Sequence, residues 1–257
     1  MRKIVIWANK GGVGKTTSVI NIASALAKIG KRVLVVDCDA QGHASKGLGV
    51  NASGDLTLAD LLTDNLLTPK DVIFKTYIKD LHIIPADISL AAAENQISQL
   101  PAKEFTLRRR LNDLSDSYDV VIFDVPPTLS VMTLNVFAYA TEVLCPINLG
   151  YFSLESINNF LDSVFFVNKN IGLPINHQIK ISGIFINNFD VRTNIAKEIY
   201  NQAQDILGGK LLESKIPTNV KLNEAQSVGK SIFDYDQSCK GALAYMSLAK
   251  EFFNKEL

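Results

Sequence analysis

Short β-branched and apolar runs alternate with helix-periodic stretches along the whole 257-residue chain. The apolar runs predict strands at 3–7, 32–37, 81–85, 119–124, 142–146, 179–187 and 211–216. Val33-Leu34-Val35-Val36 and Val120-Val121-Ile122-Phe123 carry no polar interruption, the pattern of strands buried on both faces. After the first strand, Val19, Ile22, Ala23 and Leu26 recur at i, i+3, i+4 and i+7. That spacing predicts a helix starting at Thr16, and Gly30 is placed to end it. Strand–helix alternation of this kind implies a single α/β domain: a mostly parallel, twisted sheet with helices on both faces. Ligands of such sheets bind beyond the C-terminal strand ends. The segment 50–69 is the most polar and turn-rich and reads as a surface excursion after the second strand. No linker, low-complexity tract or repeat divides the chain, so 1–257 reads as one domain.

Composition narrows the class only slightly. Hydrophobic content of 47% and charged content of 20% are ordinary for a globular protein with a full core. Cys38, Cys145 and Cys239 are scattered without a C-x-x-C pair, which argues for a reducing compartment and against a zinc or iron–sulfur site. The apolar run after Arg2-Lys3 is too short for a signal peptide, and no stretch has the length of a membrane span. A cytoplasmic protein without membrane attachment is therefore expected. Formal net charge is zero, so the whole-molecule field favours no polyanion. Any DNA contact must come from a local patch or from a surface assembled on dimerisation.

The chemistry concentrates in Lys10-Gly11-Gly12-Val13-Gly14-Lys15-Thr16-Thr17, which follows the first apolar strand and opens the first helix. In phosphate loops of the form G-x-x-x-x-G-K-[ST], backbone N–H groups cradle phosphates, the Lys holds the β/γ oxygens and the hydroxyl ligates Mg²⁺. Here the first Gly position, five residues before Lys15, is Lys10. Lys15 already occupies the place of a cis phosphate ligand. Lys10 then reads either as an ordinary solvated lysine or, the favoured reading, as a ligand for a phosphate on another subunit, in the manner of an arginine finger acting in trans.

A phosphate loop calls for an acidic strand end to hold Mg²⁺. Tyr118-Asp119-Val120-Val121-Ile122-Phe123-Asp124 supplies it: four apolar residues, then a carboxylate, then Pro126-Pro127 leading the chain out of the sheet. Asp124 is the expected magnesium Asp, acting through water, beside the Thr16 hydroxyl. The second strand ends Asp37-Cys38-Asp39. The two carboxylates are expected to face opposite ways. One would then meet the γ-phosphate while the other supports the loop or the metal's water shell. Asp39, further along the exit, is the better candidate to orient or deprotonate an attacking water, and Asp37 is a second candidate for the metal.

Lys10 through Thr16, Asp37-Cys-Asp39-Ala-Gln-Gly and Val-Val-Ile-Phe-Asp124-Val-Pro-Pro resemble the deviant P-loop ATPases of the ParA/MinD type. Further stretches resemble the ParA/Soj partition ATPases in particular: Pro127-Thr-Leu, Thr133-Leu-Asn135, Asp190-Val-Arg192-Thr-Asn194, Ile216-Pro-Thr-Asn219-Val-Lys221-Leu, and Tyr235-Asp236 through Tyr245. The resemblance covers nearly the whole chain. It implies an ATP- and Mg²⁺-dependent sandwich homodimer in which Lys10 reaches the partner's nucleotide. Lys15 and Thr16 would serve phosphate and metal, Asp39 the water and Asp124 the metal shell. It further implies non-specific binding of nucleoid DNA in the ATP state, through Arg192 and Lys221, and slow hydrolysis stimulated by a ParB-like partner. Asn187, Pro217 and Asn219 would lie near the adenine.

Several positions depart from that family's pattern. Thr218-Asn219-Val220-Lys221 stands where many members have Arg-Asn-Val-Arg, which loses one cation and replaces another by a Lys without bidentate geometry. Weaker or more salt-sensitive DNA binding is the expectation. Asn148 and Gly150 stand where relatives tend to have Gln and Glu, and Ala40 where they often have Pro. The tail after Ala242 is amphipathic, but Lys250, Glu251, Lys255 and Glu256 balance, so docking on the sheet is expected in place of membrane binding. The chain starts almost at its first strand, and site-specific operator binding is not expected. The remaining alternatives are a related ATPase that positions another cargo, such as carboxysomes or chemoreceptor arrays, and an ATP-dependent metabolic ligase on the same fold.

Overall fold

The computed structural model describes residues 1–114, 117–150, 153–189 and 194–254, the side chains of 113 and 194–197 aside. Eight strands form one sheet among these residues: β1 Arg2–Ile6, β2 Val33–Asp37, β3 Phe74–Lys75, β4 Leu81–Ile84, β5 Val120–Asp124, β6 Glu142–Asn148, β7 Lys180–Phe189 and β8 Leu211–Pro217. Their order is β3-β4-β2-β5-β1-β6-β7-β8. Every pairing is parallel except β3 with β4. The helices are α1 Lys15–Lys28, α2 His43–Gly47, α3 Leu58–Thr63, α4 Ser89–Ile97, α5 Thr106–Arg110, α6 Val131–Phe137, α7 Ser153–Val167, α8 Asn194–Leu207, α9 Val220–Ser227, α10 Ile232–Asp236 and α11 Lys240–Asn254.

The period of two along the central strands divides the core between the two faces of the sheet. Val5, Trp7, Leu34, Val36, Val121 and Phe123 pack on one side, where Trp7 meets Phe137 edge to face at 5.4 Å. Ile4, Ile6, Val33, Val35, Val120 and Ile122 pack on the other, beneath α1 and α11. The predicted α1 stripe is buried, and the helix is covered well beyond it, from Ser18 through Ala27. Gly30, at φ +86°, ends it as expected. The tail docks as predicted: Ala242, Tyr245, Leu248 and Phe252 of α11 are buried, and Tyr245 hydroxyl lies 3.1 Å from Ser18 Oγ.

Two readings need correction. β3 is absent from the predicted strands because a two-residue antiparallel edge carries too little period to detect. The segment 50–69 is not merely a surface excursion, since it holds α3, whose Leu58, Leu61 and Leu62 join the core. Its signal was local: Thr57 and Asp60 form a reciprocal capping box.

Candidate nucleotide site

Register brings the acidic residues together. Ile6, Asp37 and Asp124 are level at the C-terminal edge, where β5 lies between β1 and β2. The chain leaves β1 at this edge and returns as α1, so the glycine loop is laid across the same strand ends. Gly14 serves as the α1 N-cap in the left-handed region, at φ +86° and ψ +30°. A Cβ there would meet the Asn187 side-chain nitrogen at 2.1 Å. Only glycine suits both the angle and the space. Asn187, near the end of β7, is buried and donates to the Val13 carbonyl at 2.7 Å. It thus braces the loop from beneath. Asn148, at the end of β6 and level with Asn187, has its side-chain nitrogen 3.5 Å from the Gly12 carbonyl.

The two lysines of the loop part company. Lys15 is buried and its ammonium donates to the Lys10 carbonyl at 3.3 Å. Burial lowers its pKa, while Asp124 and Asp39 act in the opposite sense. Lys10 is exposed, and its ammonium has no hydrogen bond or ion pair among the described residues. Gly11 and Gly12 are exposed, whereas Val13 anchors the loop in the core.

The two carboxylates of the second strand also separate, but for a different reason from the expected one. Residues i and i+2 of an extended strand share a face. Here β2 ends at Asp37, and Asp39 already belongs to a turn in which its carboxylate accepts the Gln41 N–H at 3.0 Å. Asp37 is fully buried and engaged: it accepts the Asp39 N–H at 3.2 Å, and the Ser45 N–H and hydroxyl at 2.9 and 2.7 Å. These bonds fix the first turn of α2. Burial pushes the Asp37 carboxyl up to about 6 against the pull of those donors. Asp39 remains half-exposed, facing the cleft.

Asp124 is the odd group. It is buried, and neither carboxylate oxygen has a hydrogen-bond partner of ordinary geometry. Burial, then the neighbouring Asp37, raise its pKa well above the carboxylate range, and the nearby Thr16 hydroxyl offsets part of this. An unpartnered buried carboxylate beside a threonine hydroxyl and a lysine is costly unless a cation arrives. Oxygen donors of this kind, completed by phosphate and water, suit Mg²⁺. No cluster of three or more His, Cys, Asp or Glu exists among the described residues, so the site has no all-protein metal cage.

Part of this set lines an open cleft of about 610 Å³, with Asp37 and Asp124 buried behind it. Gly12, Gly14, Lys15, Thr16 and Asp39 form one wall, and Asn223, Gln226 and Ser227 of α9 form the other. Sequence reasoning missed the α9 wall. Thr17 Oγ1 donates to Gln226 Oε1 across it at 3.0 Å, and nothing local to a polar helix marks that partnership.

The remaining expected residues lie at the sheet margin. Pro217 ends β8 opposite Phe189 of β7, and Asn219 caps α9 by accepting the Lys221 N–H at 3.0 Å. Lys221 is ion-paired with Asp236 of α10, which is held in turn by the Ser238 N–H and hydroxyl. Arg192 lies outside the described residues.

A strand, a left-handed glycine, a buried lysine on the first helical turn and an orphaned carboxylate on a neighbouring strand end define a P-loop nucleotide-binding domain. The sequence pattern of the AAA-domain family matches residues 1–181. The chromosome-partitioning ATPase Soj of Treponema pallidum is 40% identical over 100% of this chain and 99% of its own. The sporulation initiation inhibitor protein Soj of Bacillus subtilis is 38% identical over 98% of each chain. Among solved structures, cobyrinic acid a,c-diamide synthase from Mycobacterium smegmatis, with an ATP analogue and magnesium bound, superposes with a TM-score of 0.81 at 28% identity. That match covers 97% of this chain and 93% of the other. The chain belongs to the ParA/Soj family of partition ATPases.

Proposed function

We propose that the protein is an ATP-driven dimerisation switch that binds DNA without sequence specificity in its ATP state and is reset by hydrolysis. The observation that carries the reading is the contrast between the two loop lysines. Lys15 sits inside the cleft within reach of a cis nucleotide, whereas Lys10 is exposed with no partner among the described residues. A second subunit facing this cleft would give the Lys10 ammonium a phosphate.

In this mechanism the loop N–H groups and Lys15 seat the phosphate chain of ATP. Thr16 and Asp124 would hold Mg²⁺, which neutralises the β- and γ-phosphate oxygens when bound. Asp39, half-exposed on the cleft wall, orients the attacking water. Lys10 of the opposing copy adds charge stabilisation, so hydrolysis without the dimer is slow. A ParB-like activator would speed hydrolysis and return the protein to its free state. No helix among the described residues is long and apolar enough to cross a membrane, and α11 spends its apolar face on the core. The working location proposed is therefore the cytoplasm, on the nucleoid while ATP is bound.

DNA contact through Lys221 requires the phosphate backbone to displace Asp236. The cation is present but internally neutralised, which favours weak binding with a shallow salt dependence. Light scattering combined with DNA binding, compared without nucleotide, with ADP and with ATP, tests the switch. A dimer and DNA complex with ATP alone are expected, both lost in Lys10→Ala. A monomer in all three states overturns the proposal. The likeness to a diamide synthase keeps one second reading, an amide-forming ligase. ATP turnover by the purified protein without any added carboxylic acid or amine separates the two.

A further inference from the structure

The Thr17–Gln226 hydrogen bond joins two walls that do different work. Thr17 belongs to the first turn of α1, with Lys15 and Thr16, and lines the cleft where a phosphate chain is seated. Gln226 is half-buried at the C-terminal end of α9. A threonine hydroxyl has one proton to donate. In the structure that proton goes to Gln226 Oε1 at 3.0 Å. A phosphate oxygen, being anionic, is the stronger acceptor. Once it takes the proton, Gln226 either loses its bond or must turn its amide over to offer NH₂ to Thr17 Oγ1. In both cases the side chain resets.

Apart from two side-chain clips to the neighbouring α10, the α9 helix is held by few buried contacts, so the reset reaches its backbone. Only Leu222 and Ala225 of α9 are buried, and Val220 stands 70% exposed. Few buried apolar contacts mean a low local cost of opening. By contrast α10 is tied to the body: the Ile232 N–H donates to Asn21 Oδ1 at 2.9 Å and the Ser231 N–H to the Tyr77 hydroxyl at 2.6 Å. Two clips run between them, Lys221 to Asp236 and the Tyr235 hydroxyl to Glu224 Oε2 at 3.0 Å. Movement of α9 against a fixed α10 therefore loads the ion pair that neutralises Lys221.

We infer that Gln226 is a positioning residue that reports nucleotide occupancy from Thr17 to α9, loosening this helix and its Lys221–Asp236 clip whenever ADP or ATP is bound. This rests on reading the cleft as a nucleotide site, and not on dimerisation or DNA binding. Because the competing acceptor belongs to the phosphate chain seated on the first turn of α1, ADP suffices and no γ-phosphate is needed.

Hydrogen–deuterium exchange on the full chain with saturating Mg·ADP tests it, with the loop segment 8–20 reporting that nucleotide is bound. In the wild type, exchange across 220–227 should rise at least threefold with ADP while 240–254 stays unchanged. In Gln226→Ala that segment should exchange fast with or without ADP. Gln226→Glu, which still accepts from Thr17 but has no NH₂ to offer, should be slow without nucleotide and respond at least as strongly as wild type. An α9 segment that ignores ADP or becomes protected, while 8–20 is protected, overturns the inference. So does Gln226→Ala retaining the wild-type response. If 8–20 itself shows no protection, the nucleotide reading fails, and this inference with it.

Discussion

The centre of the sheet and its β7–β8 margin are built to different tolerances. At the centre, β1, β2 and β5 run in unbroken register, and every residue of β2 and β5 is buried. At the margin, β7 and β8 pair with register shifts, and α9 and Lys221 beyond them are largely exposed. The chemistry needing sub-ångström placement (the loop, Lys15, Asp39 and Asp124) hangs on the first region. The surface proposed to meet a flexible polyanion hangs on the second. Rigid burial suits positioning of small groups, whereas a surface answering to nucleotide state needs an element that moves at low cost.

Substitutions should rank accordingly. Asp39→Ala should have the largest effect, lowering hydrolysis by about 10²- to 10⁴-fold while ATP still binds, as loss of a water-orienting base does. Normal turnover in a phosphate-release assay would remove Asp39 from the mechanism. Lys15→Ala should weaken ATP by about 10- to 100-fold, the worth of a charge-assisted bond, measurable by calorimetric titration. Gly14→Ala should cost about 1–3 kcal/mol of stability from the left-handed strain alone, and more because the Asn187 bond to Val13 must also yield. Urea denaturation showing no loss would mean the loop is softer than its geometry.

The carboxylate pair predicts a pH effect of on the order of 1–3 kcal/mol. Asp37 holds its proton in the folded state up to about 6, and Asp124 shifts in the same direction. A raised carboxylate pKa gives stability that is present below the unfolded value near 4 and lost as pH rises through about 6. The nucleotide-free protein should therefore melt lower at pH 7 than at pH 5, and Mg·ADP should shrink the difference. A melting point rising over that range would overturn the assignment. Smallest of all, Asp236→Asn should free Lys221 and tighten DNA by less than about fivefold, because an exposed ion pair is worth under about 1 kcal/mol. The salt dependence should steepen by up to about one unit. If DNA affinity is unmoved, the margin contributes less to binding than the central loop does by way of the dimer.

Much of the centre was legible in the residues because its signals are local. Uninterrupted apolar runs marked the buried strands, and the spacing from Lys10 to Thr16 marked the loop within one residue of where α1 begins. The separation of Asp37 from Asp39 was anticipated for the wrong reason, since a turn and not strand alternation divides them. Asn187 was expected near a base; its bracing of the loop, through a contact that spans 174 positions, had no sequence signal. Gln226, 209 positions from Thr17, had no sequence signal at all.

The chain by itself determined the class of fold, the phosphate loop, its extra lysine and the acidic strand ends, because each is a short pattern whose physics acts over a few residues. Tertiary structure alone decided that Asp37 is spent on Ser45 while Asp124 has no hydrogen bond of ordinary geometry, and that Lys15 is buried while Lys10 has no partner among the described residues. It also decided that Thr17 answers to Gln226, and that Asp236 already holds the cation proposed for DNA. Each of these depends on which strands are neighbours and in what register, and on where the last helices return to the first.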